Sequence, residues 1–150
     1  MDIPSSLAID QTIRKGSVYY FINDRFTSPE PHYHIVLNEN PLLDEIILLV
    51  ASSSQIENVK RINKNNPPET VVEISPTEYP AFTKESIVDC NRPITSDKKE
   101  LRNKFSSGQL KLKCEMDIDL VNILISGVLK SKLVEDSLKR VLNRNMLGQL

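Results

Sequence analysis

Short apolar runs separated by turn-forming residues dominate the first ninety positions of the chain. Five runs rich in Val, Ile or Tyr cover residues 16–23, 34–38, 45–52, 70–75 and 85–90. Runs of this length, bounded by Pro, Asn, Asp or Ser, are typical of β-strands. Because no helical pattern lies between them, they predict antiparallel pairing in a barrel or sandwich.

Helical patterns flank this β-rich region at both ends of the chain. Near the N-terminus, Ser5 or Ser6 can cap a short helix over LAIDQTIRK that Gly16 closes. After residue 117, apolar residues recur at helical spacing in two stripes. We expect two C-terminal helices, or one helix bent at Ser126 and Gly127, packed on the barrel. The stripes comprise Ile118, Val121, Leu124, Ile125, Val128 and Leu129, and then Leu133, Val134, Leu138, Val141 and Leu142.

Composition predicts a single domain. The chain has 150 residues, a net charge of −1 and 39% hydrophobic residues, values that fit one globular core. We expect a mainly β (α+β) fold, a compact SH3-like antiparallel barrel with a C-terminal helix or helix pair. Its parts are an N-terminal arm or short helix over 1–15, a barrel core over 16–92, a basic loop segment over 93–113 and C-terminal helices over 117–146.

The two cysteines, Cys90 and Cys114, have no CxxC spacing, and the N-terminus has no secretory pattern. We therefore expect buried or semi-buried free thiols in a reducing compartment. No apolar window reaches the length of a membrane span. The sequence thus predicts a cytoplasmic protein that does not enter a membrane.

Both histidines lie in the segment PHYHIVLNEN, residues 31–40. Strand alternation places His32 and His34 on one face and Tyr33 on the other. His34 leads into an apolar run and is expected to be semi-buried and structural, whereas His32 follows a polar loop, stays exposed and titrates near neutral pH. A metal site needs three or four ligands, and the nearby sequence offers no further cluster, so we predict no metal and no cofactor.

A local excess of positive charge lies between residues 92 and 113, which hold seven Lys and Arg against two acidic residues. Such a segment either lines a groove that contacts RNA phosphates or forms a solvated surface, and both interpretations stay open. Aromatic side chains elsewhere in the chain are candidates to stack on bases. The residues expected to bind RNA are Lys60, Arg61, Lys98, Lys99 and Arg102.

Four segments, in order, resemble the PemK/MazF family of toxin endoribonucleases. They are KGSVYYFIN, PHYHIVLNEN, LLVASSSQ and ESIVDCNRPITSDKKEL. The resemblance extends from about Lys15 to about Lys130 by motif order. It implies an SH3-like barrel with a C-terminal helix, a homodimer and a protein antitoxin as partner.

The resemblance also implies metal-independent cleavage of single-stranded RNA, in which a ribose hydroxyl attacks the adjacent phosphate. In this sequence His32 stands at the position of the family's arginine, and Ser53 at that of its threonine. Arg25 is the candidate to restore the phosphate contact that the lost arginine made. Because of that replacement, two hypotheses stay open: an altered endoribonuclease using His32, Arg25 and Ser53, and a catalytically inactive barrel that binds protein or nucleic acid.

Overall fold

An antiparallel β-sheet with helices on both faces forms the centre of the molecule. A computed structural model describes residues 5–26 and 29–148. Its strands are β1 (Val18–Phe21), β2 (His32–Val36), β3 (Ile47–Ser53), β4 (Val71–Ile74), β5 (Ser86–Asp89), β6 (Ile94–Ser96) and β7 (Lys111–Lys113). Its helices are α1 (Ser5–Thr12), α2 (Ile56–Ile62), α3 (Lys98–Ser106), α4 (Ile118–Lys130) and α5 (Asp136–Gly148), with a 3₁₀ helix at Pro68–Thr70.

The strand order is β4-β5-β3-β2-β1-β7, and β6 also pairs with β3. Every pair is antiparallel, which confirms that part of the prediction. In the described part of the chain, the outer strands β4 and β7 do not pair with each other, so the sheet is open. The α+β class is thus confirmed, whereas closure into a barrel is not.

Alternate residues of β3 divide between two hydrophobic cores. Leu48 and Val50 pack with α4 in one core. Ile47 and Leu49 belong to the other core, which includes residues of α1 and α3. A strand with both faces covered reads as a continuous apolar run, and the sequence ILLV of β3 has this form.

The C-terminal region forms two helices, as predicted, but α4 does not break at Ser126 and Gly127. It continues to Lys130, and the chain leaves the helix at Ser131. A Cβ atom at position 127 would lie 2.8 Å from the carbonyl oxygen of Glu69 and 2.9 Å from Cys90 Sγ. Gly127 therefore allows close packing of α4 on its neighbours.

The segment predicted as a basic loop over 93–113 instead contains β6, α3 and β7. Asp97 caps α3, because its side chain accepts a hydrogen bond from the backbone N–H of Glu100. Likewise, α2 occupies part of the region between β3 and β4 that carried no helix prediction. The sheet thus extends beyond the predicted core of 16–92.

At the N-terminus, α1 ends at Thr12, before Gly16. Gly16 has a φ of 93° and lies where the chain enters β1, so its role is to turn the chain rather than to close the helix. The side chains of Ser5 and Ser6, the predicted caps, lie outside the described ones. Both cysteines are free thiols, as predicted; Cys90 is buried, whereas Cys114 is exposed, so the predicted burial is wrong for Cys114. No described helix is long and apolar enough to cross a membrane.

Candidate functional site

His32 begins β2, and its imidazole reaches the neighbouring strand β3. Its Nδ1 lies 2.9 Å from the carbonyl oxygen of Ser52. Because a carbonyl oxygen can only accept, Nδ1 donates the hydrogen, and Nε2 carries the lone pair in the neutral ring. Nε2 is buried and has no hydrogen-bond partner among the described residues. The ring packs edgewise on Phe26 with centroids 4.9 Å apart, so His32 is less exposed than predicted.

His34 has the structural role that the sequence predicts. It is buried more deeply than the semi-buried position predicted, at 0% exposure, and stacks on the ring of Phe21 with centroids 3.8 Å apart. Its Nδ1 donates to the carbonyl oxygen of His32 at 2.9 Å, which leaves Nε2 to accept from the Asn23 side-chain amide at 3.4 Å. Burial lowers the pKa of His34 from 6.5 to about 4.

His32 and Ser53 line one small cavity at the ends of β2 and β3, which we call the His32 cavity. Its volume is about 140 Å³. Ser53 Oγ accepts from the backbone N–H of Gln55 at 3.1 Å, so its hydroxyl hydrogen remains able to donate elsewhere. The exposed side chain of Lys84 lines the same cavity and makes no ion pair with another described residue. The structure thus brings two of the three predicted catalytic residues together.

Arg25, the third predicted catalytic residue, does not line the His32 cavity. Its Nη1 donates to the carbonyl oxygen of Thr95 in β6 at 2.9 Å. It lines instead a cavity of about 660 Å³ together with Arg92. Carboxylates outnumber guanidinium groups there, which disfavours a polyanion. The carboxylates are those of Glu45, Asp97, Glu100 and Glu135.

Two of the predicted RNA-binding residues hold α3 in place. Lys98 Nζ donates to the carbonyl oxygens of Pro41 at 3.0 Å and Asp44 at 2.7 Å, which ties α3 to the β2–β3 loop. Arg102 binds both carboxylate oxygens of Asp10 in α1, at 2.7 and 3.0 Å. These cations have structural partners, so their charge is less available to an RNA phosphate.

The other three predicted RNA-binding residues lie on two separate helices. In α2, Lys60 forms an ion pair with Glu73 at 2.9 Å, and the Arg61 guanidinium donates to the side chain of Asn58. Lys99 lies on α3 and is exposed. Because α2 packs against β4 and β5 whereas α3 packs against α1, the predicted basic residues do not line one groove.

A larger cavity that the sequence did not indicate adjoins the His32 cavity. We call it the Tyr20 pocket: its volume is about 440 Å³, and the residues that line it include Tyr20, Ile22, Lys104 and Lys111. Tyr20 and Pro31 line both cavities, which therefore adjoin each other. Tyr20 pairs with Lys111 across β1 and β7, a register that neither segment reveals by itself.

Among the residues that the structure describes, no three His, Cys, Asp or Glu side chains gather as a group that could hold a metal ion.

Comparison of the chain with protein-family models and with curated proteins finds no match. The resemblance to the PemK/MazF family therefore depends on the four sequence segments.

Proposed function

We propose that the chain is a PemK/MazF-like protein that binds single-stranded RNA along the Tyr20 pocket and the His32 cavity. The observation that supports this is that the two cavities lie side by side, with Tyr20 and Pro31 in the walls of both. An aromatic ring, a histidine and three lysines thereby line one surface, where they outnumber the two carboxylates of Asp24 and Glu30, although the whole chain is slightly acidic. The cations are Lys84, Lys104 and Lys111.

The chemistry of this surface favours a single strand. Unpaired bases stack on aromatic rings, and lysines contact phosphates without reading the sequence. Sites that hold a small organic ligand have volumes of roughly 300–1,000 Å³, so the His32 cavity, at about 140 Å³, suits a phosphate group better than a base. A base paired in a duplex would present only its edge to Tyr20.

Binding of a short labelled single-stranded RNA, followed by fluorescence anisotropy over a range of salt concentrations, tests this proposal. The double substitution Lys84→Ser and Lys111→Ser should weaken binding. It should also reduce the slope of log K against log salt by about 0.7 for each lost phosphate contact. Lys132→Ser, at an exposed lysine of the α4–α5 connection, is the matched control and should leave both values unchanged. Equal affinity for wild type and the double variant would refute the assignment of this surface.

RNA cleavage is the second candidate function, and the shared cavity of His32 and Ser53 favours it. In this reaction the 2′-hydroxyl oxygen attacks phosphorus while Nε2 of His32 takes the hydroxyl proton. The 5′-oxygen leaves and is protonated by water, which leaves a 2′,3′-cyclic phosphate. Ser53 donates to a non-bridging oxygen, and Lys84 offsets the developing negative charge. Because Nε2 is shielded in the structure, His32 must shift relative to Phe26 before it meets a substrate.

Cleavage is tested by incubating a panel of single-stranded RNAs with the folded protein and identifying products that end in a cyclic phosphate. His32→Ala should lower the cleavage rate by about 10²-fold or more, the usual scale for loss of a general base, while RNA binding persists. If the wild type binds RNA but cleaves none of the panel, the chain is the inactive binding module.

The resemblance to the family also supports two proposals about partners: a homodimer and a protein antitoxin. Sedimentation of the purified chain tests the first, because a monomer at all concentrations would contradict it. Coexpression with a small neighbouring reading frame tests the second. Growth arrest on expression of the chain alone, relieved by that frame, is the expected result.

A further inference from the structure

We infer that the Tyr20 pocket is a nucleotide subsite, which holds one nucleoside monophosphate unit with its base on Tyr20 and its phosphate at Lys104 and Lys111. This inference rests on the proposed RNA binding and assigns a ligand to one part of that surface. The unit flanks the nucleotide whose phosphate lies in the His32 cavity, because Tyr20 and Pro31 stand in the walls of both cavities.

The Tyr20 pocket is larger than the His32 cavity, so the two suit ligands of different size. At about 440 Å³ it falls within the usual range of roughly 300–1,000 Å³ for small-ligand sites. The neighbouring cavity of about 140 Å³ is below that range. A base with its ribose therefore fits only on the Tyr20 side of the shared wall.

The apolar wall of the pocket is held in place from behind. Tyr20 packs on Tyr33 with ring centroids 4.6 Å apart. Tyr33 is itself fixed, because its hydroxyl donates to the carbonyl oxygen of Ala81 at 2.8 Å and its ring meets Phe82 at 5.0 Å. Beside Tyr20, Ile22 is 49% exposed and adds apolar surface. A preformed aromatic surface next to an exposed aliphatic side chain suits the face of a base, which stacks on Tyr20 once the Lys113 side chain above the ring moves aside.

The charge of the pocket supplies the phosphate contact. Lys111 pairs with Tyr20 across the strands, and Lys113 lies above the Tyr20 ring with Nζ 5.2 Å from its centroid. Lys104 lines the side of the pocket formed by α3, and its Nζ lies 5.4 Å from the centroid of the Phe21 ring. None of the three lysines forms an ion pair within the described residues, so their charge is available to an anion.

The carboxylate of Asp24 makes the Tyr20 pocket more suitable for a nucleotide than for inorganic phosphate. Asp24 is exposed and lines the same pocket as the two lysines. It repels a phosphate that approaches closely, but it can accept hydrogen bonds from a ribose hydroxyl or a base amino group. A ligand with a phosphate at one end and hydroxyl or amino donors at the other satisfies both groups. A nucleoside monophosphate has this form.

The test uses the full chain and three probes: uridine 5′-monophosphate, uridine and inorganic phosphate. Saturable shifts in two-dimensional NMR spectra, confined to residues around Tyr20 and Gly108, are expected with the nucleotide, and much weaker ones with the other two. Tyr20→Ala should weaken nucleotide binding about tenfold, the scale of losing one stacked base, whereas Tyr20→Phe should retain it. Lys132→Ser is again the control.

Three other outcomes of these binding experiments would each overturn either the subsite or the proposed function. Equal affinity for inorganic phosphate and nucleotide would overturn the subsite, because the pocket would then be an anion site only. RNA binding that persists unchanged in folded Tyr20→Ala would overturn the subsite while leaving the proposed function intact. Nucleotide binding by a chain that binds no RNA would overturn the proposed function and limit the pocket to free nucleotides.

Discussion

Acidification from pH 7 to pH 5 is expected to destabilise the fold through His34. Burial favours the neutral imidazole and lowers the pKa of His34 from 6.5 to about 4; the hydrogen bond to the His32 carbonyl oxygen opposes this shift in part, and the charge of Lys104 adds to it. Between these two pKa values the unfolded chain binds a proton that the folded chain does not. The contribution to stability is therefore complete above pH 6.5 and declines as the pH falls toward 4.

The magnitude follows from the separation of the two pKa values. Each pH unit between them changes the free energy of unfolding by about 1.4 kcal/mol for one proton. Near pH 6.5 the imidazole of the unfolded chain is only partly protonated, so the free energy of unfolding falls by about 2 kcal/mol between pH 7 and pH 5. Its total decrease at still lower pH is about 3 kcal/mol. This is a large fraction of the 5–15 kcal/mol that is typical of a folded domain.

Urea unfolding at pH 7, 6 and 5, followed by far-UV circular dichroism, measures this effect. His34→Gln should be less stable than wild type at pH 7, because it loses the stack on Phe21, but should lack this part of the pH dependence. His32→Gln is the matched control and should keep it. Equal pH dependence in wild type and His34→Gln would refute the reasoning.

Two further substitutions test the packing that positions the sheet. Gly127→Ala should lower the free energy of unfolding by about 1–3 kcal/mol, because the new methyl group would lie 2.8 Å from the backbone oxygen of Glu69; an unchanged urea midpoint would contradict this. Asn91→Ala should cost about 2–3 kcal/mol, since the side chain donates to Thr70 Oγ1 at 2.8 Å and accepts from Ser131 Oγ at 2.6 Å in a buried position. Thermal unfolding checks the second prediction, and a melting temperature equal to that of wild type would contradict it.

Elements with a strong local pattern were predictable from the sequence. The apolar runs correspond to β1 to β5, and helical spacing correctly indicated two C-terminal helices. Strand alternation also placed His32 and His34 on one side, where both rings contact Phe26, and Tyr33 on the other, where it meets Tyr79. These features depend on side-chain periodicity along a few consecutive residues.

Short or polar elements were not predictable in the same way. β7 has three residues, all exposed, and α3 has one buried residue, Leu101. Neither carries an apolar period long enough to identify it. The basic composition of this region indicated RNA contact, yet Lys98 and Arg102 bind groups 54 to 92 positions away in the sequence. Charge along a chain does not reveal which charges are already paired.

The sequence by itself thus determined the strand pattern, the C-terminal helices, the opposed faces of β2 and the structural role of His34, because each depends on local periodicity. Only the tertiary structure decided that Ser53 joins His32 in one cavity while Arg25 turns to Thr95. It alone also brought Tyr20 beside Lys111 to form the adjoining pocket. The physical reason is that strand order and register depend on packing between distant segments, which no single stretch of sequence encodes.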